Sequence, residues 1–167
     1  MGEPCTTTAG CARELTCVFG TCHQFCNDTT TACSGTTLGA CINVQNGGTT
    51  PAPIPHFDVC LVKCDLRSTT ACGGTTAAGT GACVADDKGN TDCEKTTGNK
   101  AENATCTGTD CGAGLVCVSI TTGGTTVSQC KKWCLVSGGT ADCGAGKTCG
   151  GFQTKMMVDG KEYGACP

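Results

Sequence analysis

Residues 5–22, CTTTAGCARELTCVFGTC, decide how this chain is read. Four cysteines, Cys5, Cys11, Cys17 and Cys22, divide the stretch. The last two enclose a short segment with Gly20 near its middle, the mark of a β-hairpin whose turn needs positive φ. The first two lie on an irregular arm that can fold back and staple to the hairpin base. Such a unit needs almost no apolar core. Four more sets follow the same plan: Cys26, Cys33, Cys41 and Cys60; Cys64, Cys72, Cys83 and Cys93; Cys106, Cys111, Cys117 and Cys130; and Cys134, Cys143, Cys149 and Cys166. No cysteine is left over.

Each set carries turn residues between its third and fourth cysteines: Phe19-Gly20, Asn46-Gly47-Gly48, Lys88-Gly89-Asn90, Gly123-Gly124 and Asp159-Gly160. Glycine, Asn and Asp are the residues that tolerate φ above zero. Val18, Ile42, Val84 and Val118 follow the third cysteine in four sets, as a strand leaving a staple should begin. The expected fold is therefore small, disulfide-rich and built of β-hairpin modules, with little regular helix and no conventional hydrophobic core. It reads as an elongated tandem array of five four-cysteine modules, at residues 1–25, 26–63, 64–93, 106–133 and 134–167. Residues 94–105, EKTTGNKAENAT, have no large apolar residue and read as a polar linker. Three-residue junctions separate the other modules: His23-Gln24-Phe25, Leu61-Val62-Lys63 and Lys131-Lys132-Trp133. Each offers a large apolar side chain to bury. Modules 4 and 5 repeat the cysteine plan of modules 1 and 2, which suggests an internal duplication around module 3.

Composition points the same way. Leu, Ile, Val and Phe total 23 of 167 residues, too few for a conventional core, whereas cysteine alone supplies 20. Within a module, four cysteines allow three pairings. Pairing first to second and third to fourth would leave arm and hairpin unconnected. We therefore expect first-to-third and second-to-fourth bridges: Cys5–Cys17, Cys11–Cys22, Cys26–Cys41, Cys33–Cys60, Cys64–Cys83, Cys72–Cys93, Cys106–Cys117, Cys111–Cys130, Cys134–Cys149 and Cys143–Cys166. Ten bridges imply an oxidising compartment, extracellular or at the cell surface. Residues 1–4, Met-Gly-Glu-Pro, contain no signal peptide, so a leader is expected to have been removed or omitted. No apolar run is long enough to span a membrane. A net charge of −3 with no basic stripe gives no reason to expect nucleic acid.

The run GEPCTTTAGCARELTCVFGTC resembles the cysteine-rich repeats of the Dickkopf N-terminal type, and more loosely the tandem EGF-like modules of secreted bacterial proteins. The resemblance covers residues 2–26 and, less closely, 103–134; module 3 shares only the cysteine rhythm. It implies a secreted modular scaffold and carries over no active site.

Candidate chemistry is sparse. Zinc and iron–sulfur sites favour Cys-x-x-Cys pairs, and none occurs here. His23 and His56 have no nucleophile motif near them, so we expect neither enzyme activity nor a cofactor. Residues 86–92, DDKGNTD, read as an exposed hairpin turn or a weak calcium site that departs from the EF-hand pattern. Arg67-Ser68, in a loop bounded by Cys64 and Cys72, could present an arginine to a trypsin-like protease, with Arg13 a second candidate. Trp133 and Tyr163 could stack on sugars, although a junction role suits Trp133 better. Asn27 and Asn103 stand in N-glycosylation sequons, and Thr49-Thr50-Pro51 resembles an O-glycosylated region.

Two classes of function follow. The first is an extracellular structural or adhesive protein that self-assembles into a fibre or surface layer, because unpaired strand edges recruit other strands and only 15% of residues are charged. Thr49, Thr50, Pro51, Pro53, Ile54, Pro55 and Phe57 form a proline-stiffened arm expected to contact a neighbouring copy, or else to fold over its own module. The second is a soluble binding module, either a protease inhibitor or a receptor ligand.

Overall fold

A computed structural model describes residues 1–27, 33–45 and 53–167. Among them the fold is almost entirely β, its helical content being two three-residue 3-10 turns, Thr8–Gly10 and Val136–Gly138. The strands are β1 (Leu15–Val18), β2 (Thr21–Cys26), β3 (Leu38–Gln45), β4 (Pro53–Val62), β5 (Thr75–Thr76), β6 (Gly79–Ala85), β7 (Thr91–Lys95), β8 (Leu115–Thr122), β9 (Thr125–Leu135), β10 (Gly150–Val158) and β11 (Lys161–Ala165).

Turn chemistry accounts for the hairpins. Two-residue loops join β1 to β2 at Phe19-Gly20, β8 to β9 at Gly123-Gly124 and β10 to β11 at Asp159-Gly160. All six residues have positive φ, from 48° to 81°. That is the primed turn whose twist matches paired strands. Across four hairpins the third and fourth cysteines are direct partners: Cys17 with Cys22, Cys41 with Cys60, Cys83 with Cys93 and Cys117 with Cys130. Cys149 and Cys166 flank the outermost pair of the fifth, Gly150 with Ala165. Each hairpin cysteine is bonded to its own arm, first to third and second to fourth in every set. No cysteine is free.

The hairpins group into three sheets. Two have four strands in equivalent order, β1-β2-β4-β3 and β8-β9-β11-β10, while β5-β6-β7 stands apart. The equivalence reaches single residues. Gly2 donates to the Cys22 carbonyl and Cys22 to that of Glu3; Asn103 donates to Cys130 and Cys130 to Ala104. Gly2 and Asn103 share positive φ, at 79° and 68°, as do Glu14 and Gly114.

Module 3 lies between these sheets and contacts both. The main buried cluster gathers Leu66 with Val62, Trp133, Val158, Tyr163 and the cystine sulfurs of Cys72, Cys83 and Cys93. This core is small and filled largely by disulfides, where the sequence predicts no conventional hydrophobic core. The apolar residues are few but converge on one junction, and disulfides fill the space between them. Contacts also join modules that are not sequence neighbours, which a strictly linear rod would lack. His23 of module 1 meets Asp92 of module 3, and Arg67 of module 3 meets Asp142 of module 5. Residues 94–105 are tied down by backbone bonds from Lys95 to Phe19, Lys100 to Asp110 and Asn103 to Cys130. Glu94 and Lys95 continue β7.

At the junctions, Leu61, Val62 and Trp133 are buried as expected, but Phe25 is 46% exposed. The buried side chain of that first triplet is His23, because it faces the β7 strand. Phe25 instead meets Phe57 edge-on, with ring centroids 5.6 Å apart.

Candidate association surface

The β8–β9 hairpin reaches well beyond the Cys117–Cys130 pair at its base. Its strands pair in unbroken register from Leu115 with Lys132 to Thr122 with Thr125. With a two-residue loop, the flanking pair Thr122 and Thr125 is hydrogen-bonded, so every second residue back along β8 also bonds to β9. Thr122, Ile120, Val118 and Val116 thus direct their backbone groups to β9. Thr121, Ser119 and Cys117 direct theirs away. On the β9 side the outward groups are used: Cys106 donates to Ser128, and Asn103 and Ala104 pair with Cys130. β8 is an edge strand, and no described segment pairs with its outer side.

The two faces of the hairpin differ. On one, Ser119 pairs with Ser128 and Thr121 with Thr126 through hydroxyl hydrogen bonds of 2.9 Å each. On the other, Val118, Ile120 and Val127 form an apolar stripe, with Ile120 37% and Val127 41% exposed. No charged residue occurs from Cys111 to Cys130. Natural sheets blunt exposed edges with charge, proline, bulges or cover, and among the described residues this edge has none of them.

The equivalent edge in the other sheet is guarded. β1 is only four residues long. The outward Cys17 amide donates to Thr8 Oγ1 at 3.5 Å, and that hydroxyl also meets Thr16 Oγ1 at 3.2 Å. Thr8 begins the 3-10 turn in the arm between Cys5 and Cys11. The corresponding arm, residues 107–110, is one residue shorter and forms no 3-10 turn. Its Asp110 turns instead to Lys100 Nζ, at 2.6 Å.

The residues singled out from sequence fall elsewhere. Thr49, Thr50 and Pro51 lie outside the described residues. Pro53, Ile54 and Pro55 belong to β4, whose side chains are described from Phe57 onward, as does His56. Phe57 is half-buried against Val18, Val44 and Val59 of its own sheet. Arg67 donates to Asp65 at 2.6 Å and to Asp142 at 3.0 Å, so its guanidinium is occupied by two carboxylates. Arg13 is exposed. Trp133 and Tyr163 are both buried, with ring centroids 6.3 Å apart and planes nearly perpendicular.

The acidic loop does not converge on a cation. Both Asp86 oxygens accept bonds from within the turn, from Lys88 N, Asn90 N and Asn90 Nδ2. Asp92 points inward to His23. The other clusters of potential metal ligands among the described residues are neighbouring disulfides, joined in module 4 by Asp110. Oxidised sulfur offers no thiolate to a metal. Of the sequon residues, Asn27 and Asn103 are exposed, and Asn103 Oδ1 accepts from Lys131 Nζ at 2.7 Å.

An open cleft of about 350 Å³ lies beside the His23 junction, lined by Phe19, Ile42, Leu61, Val84 and Glu94. Burial and the charge of Asp92 both raise the Glu94 carboxyl above its ordinary value.

No known family model matches the chain, and no curated protein or solved structure is significantly similar to it. The hairpin surface itself escaped sequence reasoning. Its signal was the charge-free run from Cys111 to Cys130, which is longer than any turn requires.

Proposed function

We propose that this is a secreted, non-enzymatic structural or adhesive protein that self-associates at the cell surface or outside the cell, in a fibre or layer. In this reading the five four-cysteine sets are modules of a tandem array, consistent with the resemblance to secreted cysteine-rich repeats. Ten disulfides fit an oxidising location. No helix among the described residues is long and apolar enough to cross a membrane.

The observation that carries the proposal is the contrast between two equivalent edges. β1 is short and capped by Thr8, whereas β8 is twice as long, uncharged and open. An exposed edge of this kind recruits another strand. Sedimentation velocity over a wide concentration range, followed by negative-stain imaging, tests the reading. Concentration-dependent oligomers or filaments support it; a monomer throughout removes it.

The competing reading is a binding module. The arginine of its inhibitor form is held by Asp65 and Asp142, so the open cleft beside Phe19 is the better-placed surface for that alternative.

A further inference from the structure

Resting on the self-association reading, we infer that the first contact is a twofold dimer in which β8 pairs antiparallel with β8 of a second copy, centred on Ser119. The backbone supplies the reason. Leu115, Cys117, Ser119 and Thr121 are the residues of β8 whose amide and carbonyl groups point away from β9, and the Leu115 amide is already bonded to the Gly112 carbonyl. In an antiparallel pair, hydrogen-bonded partners recur at every second residue. With Ser119 opposite itself across the dyad, Cys117 faces Thr121 of the second copy and Thr121 faces its Cys117. Each of these three pairs exchanges two bonds, so every open group between Cys117 and Thr121 finds a partner. A register centred on Val118 or Ile120 would oppose groups already committed to β9.

Side chains agree with this register. Val118 of one copy falls opposite Ile120 of the other, on the same face as Val127. The two apolar stripes become one patch at the centre of the interface. Ser119 meets Ser119 of the second copy on the hydroxyl face, where its Oγ already bonds to Ser128. Like charges directly opposite each other across strands repel, and a dyad sets the stretch around Ser119 against the same stretch of the second copy. The charge-free run from Cys111 to Cys130 leaves nothing to repel. The four-stranded sheet β10-β11-β9-β8 then continues into its copy as eight strands. A twofold contact closes on itself, so a fibre needs a second, different contact.

Hydrogen–deuterium exchange at two concentrations, alongside sedimentation, tests the dimer. The amides of Val116, Val118 and Ile120 should be protected at every concentration. Those of Ser119 and Thr121 should become protected only as dimer forms. Ser119→Pro removes an outward donor while sparing the bonds to β9, and should weaken dimerisation at least ~10-fold. Ser119→Lys, which leaves the backbone intact, should weaken it in a salt-dependent way, since added salt screens the facing ammonium groups. If the protein associates but these amides stay open and both variants associate normally, the β8 dimer is wrong while the broader reading stands. If it remains monomeric up to ~1 mM, both fall.

Discussion

His23 and Asp92, 69 residues apart, meet at 2.9 Å between imidazole Nε2 and carboxylate Oδ1 and lock module 1 to module 3. The other ring nitrogen lies 3.0 Å from the Thr21 carbonyl. A carbonyl and a carboxylate both accept, so the two contacts are satisfied together only when both ring nitrogens carry a proton. Asp92 Oδ1 also accepts from Val62 N and Cys93 N, at 2.9 and 2.8 Å. One carboxylate thus ties together three modules.

This pair makes stability depend on pH. Burial alone would lower the His23 pKa, but the hydrogen bond and charge of Asp92 outweigh it and raise the value overall. A raised histidine contributes fully below its unfolded pKa of about 6.5 and loses that contribution as pH climbs through the folded value. Glu94, raised by burial and by Asp92, opposes folding once ionised and so acts in the same direction. At the acid end, the hydrogen bond from Arg67 lowers Asp65, whose contribution disappears as pH falls below about 4. Denaturant midpoints should therefore peak in mildly acidic solution and decline towards pH 9. A flat profile from pH 5 to pH 9 would contradict the charged pair.

Asp92→Asn leaves a buried imidazolium without its counter-charge. Breaking one partner of such a pair costs ~3–5 kcal/mol. Equilibrium unfolding under non-reducing conditions measures it, and the alkaline decline should disappear in the variant.

Leu66 is fully buried at the meeting point of modules 2, 3 and 5, with Val62, Val158 and Tyr163 in its cluster. Leu66→Ala should destabilise by ~2–5 kcal/mol while leaving the disulfide map unchanged. A negligible loss would mean that the disulfides alone hold the modules together.

Gly89 has φ of 83°, and a Cβ there would lie 2.1 Å from the Met157 carbonyl oxygen. Gly89→Ala must therefore strain the turn or push modules 3 and 5 apart. We expect faster amide exchange around Val158 than in the parent protein, read by mass spectrometry of the intact fold.

Arg67 bonds to Asp65 and Asp142, which leaves no free guanidinium for a protease pocket. Trypsin titrated with the protein should keep its activity, and the Arg67-Ser68 bond should survive in the oxidised chain. Stoichiometric inhibition would show that this loop opens in solution.

The sequence by itself determined the small, disulfide-rich, nearly helix-free β character. Its carriers are local: Phe19-Gly20 and Asp159-Gly160 occupy turns that demand positive φ, and a β-branched residue leaves the staple at Val18, Ile42, Val84 and Val118. A turn preference is settled within a few residues, so it can be read without knowing the rest of the fold. The open edge of β8 was half visible, as a run without charge. That Thr8 caps the equivalent Cys17 amide, while nothing described covers Ser119, depends on where the arms settle in space. The tertiary structure alone decided the role of Asp92. In sequence it closes an acidic turn with oxygen donors suited to water or a cation. Folding turns it inward because β2 and β4 bring His23 and the Val62 amide to it from 69 and 30 residues away. Burying those donors without an acceptor would cost free energy, and only the assembled fold brings the carboxylate within reach.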